Sequence, residues 1–118
     1  MRSDRMRRVN EALREVLSLR IAQGLKDPRV GFVTVTAVDT SSDFSHARVY
    51  VSVFGSDEER EATLQGLESS RGFLQQGIAR ELRIKRTPQL QFLNDEALER
   101  GMRISQLLDE TDQGAPEA

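Results

Sequence analysis

Residues 68–86 read ESSRGFLQQGIARELRIKR, and the parsing of this stretch decides the fold. Leu64, Leu67, Leu74, Ile78 and Leu82 keep helical spacing on both sides of Gly72, as one face of an amphipathic helix does. A glycine inside a helix costs about 1 kcal/mol relative to alanine, so an uninterrupted helix would not select one there. The stretch is therefore read as two helical pieces joined at a kink, Ser70-Arg71-Gly72, where a backbone could approach closely. The second piece runs into a basic cluster of Arg80, Arg83, Lys85 and Arg86.

On the N-terminal side, Gly55 and the run Ser56-Asp57-Glu58-Glu59 mark the start of the first piece. Ser56 can cap it while Glu59 reaches back to the cap. Asp57, Glu58, Glu59 and Glu61 suit the positive end of the helix dipole, and this structural role outweighs a carboxylate catalytic or metal site. Before it, His46–Phe54 is a strand with Ala47, Val49, Val51 and Val53 on one face and His46, Arg48, Tyr50 and Ser52 on the other. Val30–Val38 is an earlier strand in which Val33, Val35 and Ala37 alternate with Phe32, Thr34 and Thr36. The intervening Asp39–Ser45 is rich in turn formers, so the two strands pair as an antiparallel hairpin. Residues 3–23 carry Met6, Val9, Leu13, Val16, Leu17 and Ile21 as one helical stripe, closed by Gly24 and Pro28.

On the C-terminal side, Thr87-Pro88 interrupts the basic run, and Gln89–Leu93 forms a third strand with Leu90 and Phe92 inward. Asp95 can cap a short last helix containing Leu98, Met102, Ile104, Leu107 and Leu108. From Asp109 the chain is acidic and is expected to be disordered. The expected class is α+β: one domain over residues 1–108, with a three-stranded sheet covered by helices on one face, and a tail over 109–118.

Composition removes several function classes. The 118 residues include no cysteine and one histidine, which excludes thiol chemistry and leaves a nucleophile poorly served for a base. No nucleotide-binding glycine motif is present, and one histidine among scattered carboxylates has no metal-ligand spacing. A hydrolase built on Asp43, His46 or Glu58 therefore has no supporting constellation. The chain is expected not to be an enzyme and to need no cofactor or small-molecule substrate. No apolar run approaches the roughly 18 residues of a membrane span, nor does the N-terminus resemble a secretory signal, so the cytoplasm is the expected location.

The net charge of −2 conceals strong segregation. Residues 1–30 carry eight basic against four acidic side chains, and residues 71–90 carry five against one. Residues 31–70 and 91–118 each carry two basic against seven acidic. If the two basic segments meet in space they form a footprint for a polyanion. The second helical piece adds an N-terminus suited to phosphate. Candidate contacts are Arg7, Arg8, Arg14, Lys26, Arg29, Arg71, Arg80, Arg83, Lys85 and Arg86. Tyr50 and Phe54 are the only plausible sheet aromatics for stacking, so contacts to sugar-phosphate and RNA shape are expected over base readout.

The order and spacing of several fragments carry a resemblance. They are Arg7-Arg8-Val9, Asp27-Pro28-Arg29 running into Val33-Thr34-Val35-Thr36, and Ala47-Arg48-Val49-Tyr50-Val51-Ser52-Val53. Gly72-Phe73-Leu74, Ile78-Ala79-Arg80-Glu81-Leu82-Arg83-Ile84, Pro88-Gln89-Leu90-Gln91-Phe92 and Gly101-Met102-Arg103-Ile104 continue it. Over residues 3–108 the chain resembles the bacterial ribosome-binding factor A family. The resemblance implies a type II KH-like domain whose usual GXXG loop is replaced by an Ala-x-Gly kink, with Ser70-Arg71-Gly72 standing at that position here. It further implies a monomer that binds 16S rRNA in the free 30S ribosomal subunit, assists its late maturation and processing, and is linked to growth in the cold. The competing reading is a small protein-interaction module that docks a partner through its acidic helix or outer sheet face.

Overall fold

The computed structural model describes residues 4–95. Helix α1 (Asp4–Ala22) is followed by strands β1 (Val33–Thr40) and β2 (His46–Val53), helices α2 (Asp57–Ser69) and α3 (Arg71–Leu82), and strand β3 (Gln89–Asn94). The sheet order is β1-β2-β3. β1 pairs antiparallel with β2, and β3 lies parallel to β2 on its other edge. A parallel neighbour cannot be reached by a hairpin, so α2 and α3 together form the crossover. The expected last helix from Asp95 and the acidic tail lie outside the described residues.

The inner face of the sheet and the three helices share one core. Leu13 and Leu17 of α1, Ala47, Val49 and Val51 of β2, Leu67 of α2, and Leu74 and Ile78 of α3 are fully buried. α1 lies over β1 and against α3, while α2 packs beside β3. The stripe on α1 thus serves its expected purpose, and Gly24 at φ +101° ends the helix in a left-handed conformation that suits glycine. At the start of α2 the reciprocal capping box is formed. The Glu59 amide donates to Ser56 Oγ at 3.2 Å, and the Ser56 amide donates to Glu59 Oε1 at 3.0 Å. Those bonds hold the Glu59 carboxyl below its ordinary pKa.

Strand β1 departs from the expected reading at three points. It begins at Val33, not Val30, because the preceding backbone is taken by a helix side chain: Thr63 Oγ1 donates to the Arg29 carbonyl at 3.2 Å and accepts from the Gly31 amide at 3.4 Å. It also runs on to Thr40 through residues read as loop, with Asp39 opposite Arg48 and Thr40 opposite Ala47. The Thr40 amide donates to Asn10 Oδ1 on α1 at 2.9 Å, a tertiary bond that no local turn propensity reveals. Finally, the register slips between Val35 and Ala37. This bulge at Thr36 reverses the alternation, so that Val38 and Thr40 are buried and Ala37 is not.

Glycines set two close approaches. A Cβ at Gly66 would lie 2.7 Å from Val30 Cγ2, and one at Gly77 would lie 3.0 Å from Arg20 Nε. Gly66 thereby seats the 27–32 connector on α2. Gly77 lets Arg20 cross from α1 to α3, where it pairs with Glu81 at 3.2 Å. A Cβ at Gly72 would meet nothing of the described chain within 4 Å.

Gly66→Ala is expected to lower stability by roughly 1–3 kcal/mol through overpacking against Val30, measured by denaturant unfolding. Gly72→Ala, in open space within a helix, is expected to raise it by about 0.5–1 kcal/mol. A Gly66→Ala protein as stable as the parent would contradict the packing described.

Candidate nucleic-acid interface

Two grooves meet at the end of the sheet where β2 and β3 begin. The first, about 550 Å³, opens between α1 and the segment that follows α3. Its apolar wall includes Val9, Ala12, Leu82, Ile84 and Pro88, and its rim carries Arg5, Arg8, Lys85 and Arg86. Arg5 and Arg8 lie three residues apart on α1 and so project from the same side. Lys85 and Arg86 are brought opposite them because α3 stops at Arg83. That residue adopts a left-handed conformation (φ 50°, ψ 38°) and donates its amide to the Ala79 carbonyl. Arg5 sits over the Phe44 ring, 5.8 Å from its centroid, within cation–π range.

The second groove, about 670 Å³, is polar and runs along the helix break. It is lined by Glu68, Ser69, Arg71, Gly72 and Gln75 from the helices and by Ser45, Arg86, Thr87 and Gln89 from the strand ends. Arg86 lines both grooves and joins them. The break falls at Ser70 (φ −91°, ψ 3°). Its hydroxyl donates back to the Gly66 carbonyl at 3.0 Å and makes no side-chain cap on α3. Gly72 therefore presents a bare helix surface to this groove, and no element of the described chain fills it.

Of the remaining candidate cations, Arg71 lines the second groove and the others are placed elsewhere. Arg7 pairs with Asp4 and Arg14 with Glu11 along the surface of α1. The Arg14 bond lowers the Glu11 pKa, and the Glu11 bond raises that of Arg14. Arg71 lies 3.3 Å from Glu68. Arg29 is held by Asp27 at 2.7 Å and donates to Ser69 Oγ at 2.8 Å, which fixes it beside the C-terminal end of α2. Lys26, Arg80 and Arg83 line neither groove. Arg5 and Phe44 belong to the first groove although sequence reading omitted both. Arg5 shares a helix face with Arg8 and was legible from spacing, whereas Phe44 sits in a loop whose conformation decides its position.

The polar cluster around the one histidine has a structural explanation. Asp43 Oδ1 accepts from Ser45 Oγ at 2.7 Å, from Ser41 Oγ at 2.8 Å and from the Ser45 amide at 3.1 Å. These bonds, those of Ser45 first, bring the Asp43 pKa down to about 2. The clamp holds Phe44 in a left-handed conformation at φ 61°, uncommon for a bulky residue. Ser45 stands between Asp43 and His46, with Ser45 Oγ 2.9 Å from His46 Nδ1. A nucleophilic triad instead needs the histidine between serine and carboxylate. Glu58 lies beyond the far end of β2, an eight-residue strand about 26 Å long. Among the described residues no three His, Asp or Glu side chains are grouped to hold a metal ion.

The Asp27–Arg29 pair makes an acid-sensitive clasp. Hydrogen bonds from the Arg29 side chain and amide lower the Asp27 pKa to about 2, below the roughly 3.9 of a free aspartate. A depressed carboxylate pKa contributes stability above the unfolded value and loses it as pH falls through the folded one. The melting-temperature gap between the parent and Asp27→Asn is therefore expected to be full above about pH 4 and to close toward pH 2. A gap independent of pH over that window would show that the clasp does not act through ionised Asp27.

Comparison with known proteins agrees with this architecture. The family profile described as Ribosome-binding factor A matches residues 5–108. The ribosome-binding factor A of Geobacter metallireducens is 50% identical over 109 residues, covering 92% of this chain and 90% of that one. That of Brevibacillus brevis is 46% identical over 110 residues, covering 93% and 91%. Among solved structures, the crystal structure of ribosome-binding factor A from Thermus thermophilus aligns with a TM-score of 0.67 at 35% identity, covering 75% of this chain and 94% of that one. The solution structure of a Thermotoga maritima protein described as a putative ribosome binding factor A gives 0.69 at 34%, covering 79% and 89%. A homology model of the Thermus thermophilus ribosome binding factor A, as fitted into the cryo-electron-microscopy map of its 30S complex, gives 0.60 at 37%, covering 71% and 88%. The αββααβ order, the KH-like sheet and the match over most of its length make this chain a member of the ribosome-binding factor A family.

Proposed function

We propose that this chain binds the free 30S ribosomal subunit through its 16S rRNA and assists late maturation and processing of that RNA in the cytoplasm, including during growth in the cold. It acts as a monomeric RNA-binding domain spanning residues 1–108, without catalysis of its own. The observation that carries the reading is the convergence of Arg5 and Arg8 with Lys85 and Arg86 on one groove, at the junction with the groove of the helix break. Two segments more than 70 residues apart in sequence place four cations around one carboxylate, that of Asp43, there. Such an array attracts the phosphate backbone independently of base identity. The bare surface at Gly72, flanked by Arg71 and Arg86, gives a backbone room to lie against α3.

The adjacent apolar wall and the Phe44 ring can receive an unstacked base, which favours irregular or single-stranded RNA over a uniform duplex. The coordinates of the Thermus protein in its 30S complex support the small subunit as the target. Lys26, Arg29, Arg80 and Arg83 are assigned secondary, long-range contributions.

Co-sedimentation with purified small subunits is expected to weaken as salt rises. Four phosphate contacts correspond to a log–log slope of about −3 to −4. Arg8→Glu combined with Lys85→Glu and Arg86→Glu should reduce association by at least about 100-fold, since each opposed charge costs on the order of 1 kcal/mol or more. Unchanged binding by that variant, or binding insensitive to salt, would overturn the assignment. Gly72→Ala tests the helix-break groove separately: retained or raised melting temperature with weaker subunit binding is expected if an RNA backbone passes there.

A further inference from the structure

We propose that the opposite end of the sheet is a protein-docking surface, built on Phe32 and Phe54, for a lysine- and arginine-rich protein segment of the small subunit. Both rings are 89% exposed. They are direct cross-strand neighbours: Val33 pairs with Val53, and the Phe54 amide donates to the Phe32 carbonyl at 3.4 Å, continuing the ladder by one rung. Val53 points into the core, so alternation places both rings on the outer face, which none of the described helices covers. Two large apolar side chains held side by side in water have no packing role in the described chain. Paired aromatics of this kind are frequent anchors of protein interfaces.

The charge beside them selects the partner. Phe54 is followed within three residues by the acidic first turn of α2. Asp57 is paired with Arg60 at 2.9 Å, whereas among the described residues Glu58, Glu59 and Glu61 form no ion pair. These carboxylates repel phosphate, which argues against base stacking on the rings. They equally oppose a second copy of this chain, because a two-fold contact through the phenylalanines would bring two acidic turns together. A basic polypeptide satisfies both features, with aliphatic stems of lysine or arginine lying on the rings and their charges meeting Glu58 and Glu61. The source of that segment rests on the small-subunit reading above; the surface itself lies at the other end of β2 from the cationic grooves.

The test measures affinity for intact small subunits and for protein-free 16S rRNA with the full chain. Phe32→Ser combined with Phe54→Ser is expected to weaken subunit binding about tenfold or more while leaving rRNA binding and the melting temperature unchanged. Glu58→Lys combined with Glu61→Lys should weaken subunit binding in the same way. Equal losses on subunits and bare rRNA would assign the rings to base stacking and overturn the proposal, as would tighter subunit binding by the lysine variant. Unchanged subunit binding by both variants would overturn it while leaving the RNA reading intact. Loss of rRNA binding confined to the Arg8, Lys85 and Arg86 variant would confirm that the two surfaces act separately. A photoreactive benzoylphenylalanine at position 54 should crosslink a basic protein of the subunit; adducts confined to rRNA or to a second copy of this chain would contradict the assignment.

Discussion

Strand β2 is hydrogen-bonded along both edges, and its inner face, Ala47, Val49, Val51 and Val53, is the floor on which all three helices rest. A strand bonded on both sides has no spare backbone groups, so its register fixes those of β1 and β3. Because β3 is parallel, the chain leaving Val53 must return the length of the sheet before re-entering at Gln89. The α2–α3 pair makes that return, and the break at Ser70 lets it bend without abandoning the core, with Leu67 before it and Leu74 after it both fully buried. The groove at the helix break exists because the crossover must span the sheet. The outer edge of β3 is also managed by α2: Glu68 Oε1 accepts the Phe92 amide at 3.4 Å, blunting an otherwise open edge.

The same strand separates two kinds of chemistry. At its His46 end lie the clamped 41–45 loop, the start of β3 and both cationic grooves. At its Val53 end lie the exposed phenylalanine pair and the acidic first turn of α2. The two basic sequence segments meet because α1 and the 83–88 connector converge on one end of the sheet. A small net charge therefore coexists with a strongly polarised surface, and such a surface orients a molecule approaching a polyanion before contact is made.

Much of this was legible in the sequence, and the exceptions have particular causes. Helix α1, the capping box at Ser56 and the alternation in β2 follow from local pattern and appear as read. The errors fall on β1, where tertiary bonds override local propensity. Thr63 draws residues 29–31 away from the sheet, Asn10 holds Thr40 within it, and the bulge at Thr36 changes which residues face inward. Thr63 and Asn10 lie far along the chain from the positions they alter, and the bulge is a register feature that composition does not encode. At the candidate site the basic segments were visible, but their individual members were not equivalent. Arg5 gained a place because of Phe44. Within the described chain nothing approaches Gly72, whereas Gly66, which punctuates α2, is where packing against Val30 requires a missing side chain.

That inequality among cations has an energetic basis. Arg7, Arg14, Arg29 and Arg71 each hold an intramolecular carboxylate. A phosphate that recruits one of them must displace or share that partner, forfeiting up to about 1 kcal/mol for an exposed pair. Arg8, Lys85 and Arg86 form no ion pair among the described residues, so their charge is available without such exchange. Arg29 stands at the other extreme, bound at once by the Asp27 carboxylate and Ser69 Oγ, and its geometry reads as a structural tie between the connector and α2. Abundance of arginine along a sequence therefore overstates the charge available to a polyanion. The side chains open to a polyanion without such exchange are those the fold brings opposite one another and leaves without an ion pair among the described residues, here Arg8, Lys85 and Arg86 on the rim shared by α1 and the segment after α3.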